Sequence, residues 1–180
     1  MPDEVAAIPD AELLGVVVHS GLVLAASDGV VVALRRITAF PTGLALDVVV
    51  LARGVHAEAA GRREREATAQ RAEHERKQAE VERQYPPDFA EGDAPRLGVL
   101  GPTSQAVWLD AYRSASSGTN DRYRLEASYW VAPLPAEGFL TLVCAWPEIG
   151  LSEAMTDVVL PDLAVRAAEA CSLWDLAGGG

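Results

Sequence analysis

Two blocks of strand-forming sequence, at 13–55 and 96–160, are separated by a charged segment at 57–95. In both blocks, short runs rich in β-branched and aromatic residues alternate with turn residues, which is typical of antiparallel sheets. The charged segment contains Ala, Glu, Arg, Gln and Lys and almost no bulky apolar residue up to residue 84. A single core therefore has to be assembled from two strand blocks roughly 40 residues apart, which is a long non-local closure.

The first block predicts a three-stranded meander. Asp28-Gly29 lies between two apolar runs and is a strong signal for a tight hairpin. A second turn is predicted at Pro41-Thr42-Gly43, because proline favours the first central turn position and glycine tolerates positive φ. Upstream, the runs 15–18 and 22–25 read as short strands on either side of His19-Ser20-Gly21.

The second block contains the most informative strand, at 139–146. Its odd and even positions are both largely apolar, which predicts a central strand covered on both sides. Another strand is predicted at 122–131 and a last one at 155–160, whereas the Ser- and Gly-rich stretch 114–120 reads as a flexible loop.

Two helical stretches are predicted. The segment 57–84 favours helix by composition but shows no apolar stripe, so we expect it either to protrude or to be only partly ordered. It is then either a spacer between the two blocks or a recognition arm. The segment 161–176 has apolar residues near a 3.6-residue repeat and predicts a C-terminal helix with one buried face. The sequence as a whole thus predicts one domain, 1–180, of the mostly β (α+β) class: an antiparallel sandwich-like core with a C-terminal helix and a charged helical insertion at 57–95.

Charge excludes several classes of partner. The chain has 15 Lys and Arg against 26 Asp and Glu, a formal net charge of −11, so its average field repels nucleic-acid backbones and anionic lipids. Eight of the 15 basic residues lie between 57 and 96, which leaves the strand blocks more acidic still. No apolar run approaches the roughly 20 residues that a transmembrane helix needs, and no secretory signal precedes the first block, so a cytoplasmic location is expected.

No pattern specifies catalysis or metal binding. His19 and Ser20 are adjacent, and neighbours on a strand point to opposite faces, which works against a Ser–His hydrogen bond. The three histidines are scattered, and Cys144 and Cys171 have no second Cys or His at zinc-ligand spacing. We therefore expect no catalytic residues, no cofactor and no metal, and interpret both cysteines as small buried side chains.

The stretch from Tyr129 to Pro147, with the Arg96-Leu97-Gly98-Val99 start and the Leu173-Trp174 ending, resembles an uncharacterised group of β-rich actinobacterial proteins. The resemblance covers most of the chain outside 57–95 and implies the same fold and a cytoplasmic setting. It implies no catalytic residue. The chain departs from the group in its long charged helical run and in having 114–120 where the group has a Gly-rich loop.

Two functions remain compatible with these observations. The first is a non-enzymatic binding or structural protein that acts through contacts with a protein partner or with itself, using the helical arm or the aromatic pair Tyr129 and Trp130. The second is an anion-binding protein or enzyme with a loop-built site near three arginines, Arg113, Arg122 and Arg124. Salt bridges within an acidic protein are the simpler reading of those arginines.

Overall fold

The computed structural model describes residue 8 and residues 12–80, 95–101 and 105–178. Within these ranges, strands form three antiparallel sheets of five, four and two strands. The predicted mostly β, α+β class is confirmed.

The five-stranded sheet has the order β2-β3-β4-β8-β7 and draws on both strand blocks. Its strands are β2 (Val16–Ser27), β3 (Val30–Phe40), β4 (Gly43–Arg53), β8 (Arg122–Val131) and β7 (Ala111–Gly118). The two blocks are joined by the pairing of β4 with β8, which runs from Leu44 opposite Val131 to Arg53 opposite Arg122.

The other strands come mainly from the second block. The four-stranded sheet has the order β10-β9-β5-β6 and consists of β10 (Leu151–Val159), β9 (Phe139–Trp146), β5 (Arg96–Leu100) and β6 (Ala106–Leu109). The two-stranded sheet pairs β1 (Leu13–Leu14) with β11 (Cys171–Ser172) near the ends of the described chain. The helices are α1 (Val55–Glu80), α2 (Leu163–Ala168) and α3 (Leu173–Gly178), with a 3-10 turn at Pro147–Ile149.

Both larger sheets contribute to one buried cluster of apolar side chains. Leu34, Leu46 and Val50 enter it from the five-stranded sheet, and Leu142 and Trp146 enter it from the four-stranded sheet. Strand β9 is central in its sheet, as predicted. Its even-numbered residues belong to the core cluster, whereas Val143 and Ala145 are buried on the opposite face.

The predicted meander is present, with one difference at its start. Asp28 and Gly29 form the hairpin turn between β2 and β3, and Gly29 has φ of 81°. The two short strands expected around His19-Ser20-Gly21 are a single strand, β2, that continues through Gly21. The sequence suggested a break because serine and glycine are common in turns. In the structure Gly21 has φ of 68°, but its neighbours Ser20 and Leu22 keep regular register with Arg36 and Leu34, so the strand continues.

The predicted flexible loop 114–120 is wrong for most of its length, because residues up to Gly118 belong to strand β7. Ser114 to Gly118 pair in continuous register with β8, from Ala127 to Tyr123. Serine, alanine and glycine have weak strand preference, but an edge strand gains its order from the ladder of its neighbour. Pairing with β8 thus overrides local composition.

The charged segment forms α1, yet α1 does not simply protrude. Ala57, Ala60 and Ala67 are buried, and the first two join the core cluster. Their spacing of three and seven residues places them on one helix face, and their small size allows close approach to the sheet. The expectation that this segment has no face to bury is therefore wrong, because the buried face consists of alanines rather than bulky residues. The remainder of the predicted insertion, 81–94, lies outside the described residues.

The predicted C-terminal helix at 161–176 is divided. Leu163 and Ala167 on α2 are buried in the core, but Cys171 and Ser172 then leave the helical path and pair with Leu14 and Leu13. Cys171 consequently lies on a strand and not on a helix, and it is half-buried, whereas Cys144 is buried as predicted. Helix α3 follows with no buried residue.

No helix in the described part of the chain is long and apolar enough to cross a membrane.

Candidate functional site

Two β-bulges gather arginine side chains on the outer face of the five-stranded sheet, which is the face turned away from the core. In β3, register passes from Leu34 opposite Val48 to Arg36 opposite Asp47, so that Arg35 is an extra residue. Neighbours on a regular strand point to opposite faces, but a bulge relieves this alternation. Arg35 and Arg36 are both exposed and both contact carboxylates of the outer face.

A row of four polar side chains crosses the sheet below the bulge. Arg36, Asp47, Ser128 and Arg113 are consecutive register partners on β3, β4, β8 and β7. The Arg36 Nε donates a hydrogen bond of 2.6 Å to Asp47 Oδ2, and the Ser128 hydroxyl donates one of 2.6 Å to Asp47 Oδ1. Both carboxylate oxygens of Asp47 thus have partners, and the hydrogen bond to Nε holds the Arg36 guanidinium on the outer face.

Glu126 lies one row further along β8 and receives two arginines. Arg35 Nη1 lies 2.7 Å from Glu126 Oε1, and Arg124 Nη2 contacts the same oxygen. The hydrogen bond from Arg124 lowers the pKa of Glu126, and the charges of Arg124, Arg35 and Arg113 act in the same direction. Glu126 therefore stays ionised at neutral pH.

Arg113 completes this group from the sheet edge. Its charge acts on Glu126, but no carboxylate among the described residues lies within ion-pair distance of its guanidinium. We call the group the arginine face and define it by Arg35, Arg36, Arg113, Arg124, Asp47, Glu126 and Ser128. Four guanidinium groups against two carboxylates give it a formal charge of +2 on a chain of −11.

The arginine face contains a shallow depression of about 350 Å³. Its lining includes three of the four arginines, both carboxylates and Ser128. Each guanidinium carries five N–H donors in a planar fork, and the contacts above use only some of them. The arrangement can bind an anionic group with two or more oxygens, such as a carboxylate or a phosphate.

The arginines predicted from the sequence separate in the structure. Arg113 and Arg124 both lie on the arginine face, but Arg122 is opposite Arg53 at the far end of β8, four residues from Glu126, and does not line the depression. The surrounding structure is sheet and not loop. Arg35 and Arg36 were missed, although the adjacent Arg-Arg pair inside an apolar strand pattern is itself a signal for a bulge, because strict alternation would have buried one of them.

The predicted aromatic pair points to opposite faces of β8. Tyr129 is buried in the core, and burial raises its pKa to about 12. Trp130 is half-buried on the outer face, where its ring lies over Gly43 and 5.8 Å from the ring of Phe40. A Cβ at Gly43 would lie 2.6 Å from the Trp130 ring, so only glycine leaves room for this packing. Neither aromatic side chain forms part of the arginine face.

A second exposed surface lies on the outer face of the four-stranded sheet. Met155, Val143, Gly98 and Trp108 are register partners across it, and the Trp108 ring lies over Gly98 with the Arg96 guanidinium 4.6 Å from the ring centroid. Met155 and Val159 are each more than 60% exposed. The Thr141 hydroxyl donates a hydrogen bond of 2.5 Å to Asp157 Oδ1 between Met155 and Val159 on the same face. Among the described residues this surface is thus largely apolar, with a single hydrogen-bonded polar pair beside its aromatic and arginine.

The titratable groups whose pKa values shift most lie away from the arginine face. Burial raises the pKa of Cys144 to about 11, and burial with the nearby charge of Glu64 raises the pKa of Tyr123 far above its usual value. Helix α1 brings Glu64 to Tyr123 and to the hydroxyl of Ser116, which donates a hydrogen bond to the carboxylate. Within the described ranges, no three His, Cys, Asp or Glu residues are placed to hold a metal ion.

No protein-family model, no curated protein and no solved structure matches this chain. The actinobacterial resemblance thus gains no support from these comparisons.

Proposed function

We propose that this protein is a non-enzymatic binding protein whose arginine face recognises a negatively charged group. The observation that carries the proposal is Arg113, a guanidinium that faces a lined depression beside three further arginines without an ion-pair partner among the described residues. Charge-assisted hydrogen bonds from guanidinium to carboxylate or phosphate are among the stronger polar contacts that proteins make.

The distribution of charge supports the proposal. Only seven basic residues lie outside 57–96, and four of them lie on the arginine face. Isolated surface ion pairs contribute little to stability, so folding alone gives weak reason to concentrate arginines here. Local positive potential on an acidic protein instead favours the selective approach of an anionic partner group.

The proposal combines the two functions that the sequence left open. The arginine face supplies the anion site. A binding role without catalysis fits the pKa shifts, because the pKa of Glu126 is lowered and the pKa values of Tyr129 and Cys144 are raised, all away from neutral pH. General acid–base catalysis at neutral pH favours a group whose pKa lies near 7. The cytoplasmic setting expected from the sequence is retained as part of the proposal.

The test compares Arg113→Gln with Arg122→Gln, which removes the same charge from the same sheet outside the depression. Binding of phosphate, succinate and a Glu-rich peptide is measured by calorimetry at low salt. We expect at least one anion to bind the wild-type protein, with affinity about tenfold lower in Arg113→Gln and within about twofold of wild type in Arg122→Gln.

Equal losses in the two variants would indicate a diffuse charge effect and overturn the site. Absence of binding by all three anions to the wild-type protein would overturn the function.

A further inference from the structure

Strand β7, which contains Arg113, is an edge of the five-stranded sheet that pairs with only one strand among the described residues. It ends the order of the five-stranded sheet, and all eight of its residues are exposed. After the bulge at Tyr112, six residues from Arg113 to Gly118 pair regularly with β8, a length of about 20 Å. In an antiparallel pair, β8 accepts and donates backbone hydrogen bonds only at alternate residues of β7. The residues between them direct their backbone N–H and C=O groups away from the sheet.

The other sheet edges are shorter or have a neighbour. Strand β6 has four residues. Strands β2 and β10 lie against each other, and the Thr156 hydroxyl donates a hydrogen bond of 3.2 Å to the carbonyl of Leu24. Among the described strands, β7 is thus the longest edge that no other strand covers, and it contains no proline to interrupt an added ladder.

The side chains of β7 suit an incoming acidic strand. Arg113, Ala115 and Ser117 share the side of the arginine face, because their register partners are Ser128, Glu126 and Arg124. Residues directly opposite each other in adjacent strands have Cβ atoms about 5 Å apart, so a Glu or Asp opposite Arg113 would reach its guanidinium. Ala115 and Ser117 are small and leave space between the added strand and the arginines bound to Glu126.

We infer that the partner is an extended acidic peptide segment of another protein, which adds to β7 as a sixth strand and places alternate carboxylates against the arginine face. The inference rests on the proposed anion recognition and names the ligand class. Backbone hydrogen bonds to the edge provide affinity, and the period of two in the strand provides specificity for acidic residues at alternate positions.

The test uses an acetylated eight-residue peptide that alternates Glu and Thr. Binding is followed by fluorescence anisotropy, and amide hydrogen exchange of residues 113–118 is followed by NMR. We expect the peptide to bind the wild-type protein. Its affinity should fall about tenfold when Gln replaces each Glu of the peptide, and also about tenfold for the protein variant Arg113→Gln. For the protein variant Arg122→Gln it should stay within about twofold of wild type. Exchange at alternate β7 amides should slow about tenfold or more in the complex.

The decisive control is the same peptide with its alternate Thr nitrogens methylated, which keeps every charge but blocks one side of the strand. Loss of its binding supports strand addition. If the methylated peptide or succinate binds as well as the parent peptide and β7 amides gain no protection, strand addition is overturned while anion recognition stands. If phosphate binds and neither peptide does, the peptide assignment is overturned; if nothing binds, both proposals fall.

Discussion

Arg35 and Arg36 determine the chemistry of the outer sheet face through a single irregularity in the backbone. In a regular strand one of the two would point into the core, and a charged group buried without a partner is strongly unfavourable. The bulge allows both to reach outer-face carboxylates, Glu126 for Arg35 and Asp47 for Arg36. The Arg-Arg pair in the sequence is a signal for a bulge, but the sequence does not show which residue is the extra one, because that depends on the register with β4.

Neighbouring valines at the end of β10 test the residue-level assignment of faces. Val158 is 1% exposed and Val159 is 68% exposed. Replacement of Val158 by Thr places a hydroxyl in the core, and we expect the free energy of unfolding to fall by about 1–3 kcal/mol. The same change at Val159 should alter it by less than about 0.5 kcal/mol. Urea unfolding measures both, and equal effects would contradict the register of β9 with β10.

Helix α1 and strand β7 are the two elements whose character composition concealed. For α1, the lack of bulky apolar residues concealed the face that packs on the core. Alanines form such a face only where the neighbouring sheet approaches the helix closely. For β7, weak local preference suggested a loop, but β8 provides a complete ladder on one side. In contrast, β9 could be predicted fully, since both of its faces are apolar in the sequence itself.

The buried alanine face of α1 has a matched control on the same helix. Ala60 is 1% exposed, whereas Ala69 is exposed. We expect Ala60→Leu to force α1 away from the sheet and to lower the free energy of unfolding by about 1–3 kcal/mol. Ala69→Leu should change it by less than about 0.5 kcal/mol, because leucine is also a good helix former. Chemical denaturation followed by circular dichroism compares the two, and a neutral Ala60→Leu would contradict the packing of α1.

At the scale of the whole molecule, one core holds together strands from distant parts of the chain. The pairing of β4 with β8 places Leu46 opposite Tyr129. The ring centroid of Trp146, from the other sheet, lies 6.2 Å from that of Tyr123 on β8. This core buries three titratable side chains, Tyr123, Tyr129 and Cys144. Burial raises the pKa of Cys144 to about 11 and that of Tyr129 to about 12, and it also raises that of Tyr123.

These buried groups predict a loss of stability at alkaline pH. Between pH 9 and 11 the unfolded chain releases the Cys144 proton while the folded protein retains it, so the folded state binds more protons and the free energy of unfolding falls as pH rises. The slope is about 1.4 kcal/mol per pH unit for each such group, and the tyrosines extend the effect above pH 10. Below pH 9 these groups contribute no slope.

Urea midpoints at pH 8, 9, 10 and 10.5 measure this dependence. The variant Cys144→Ala should show a shallower fall between pH 9 and 10.5, whatever its stability at pH 8. A wild-type stability that stays constant or rises over this interval would contradict the burial of these groups.

The sequence by itself determined the β-rich class, the hairpin at Asp28-Gly29, the central strand at 139–146 and the helical nature of the charged segment, because each depends on local periodicity and turn chemistry. Tertiary structure alone decided that β4 pairs with β8 and that bulges turn Arg35, Arg36 and Arg113 towards one surface. It also left β7, the strand of Arg113, at the sheet edge with only β8 as a partner among the described strands. Strand partners and their register depend on contacts between residues far apart in the chain, and local patterns do not encode which of several apolar strands will meet.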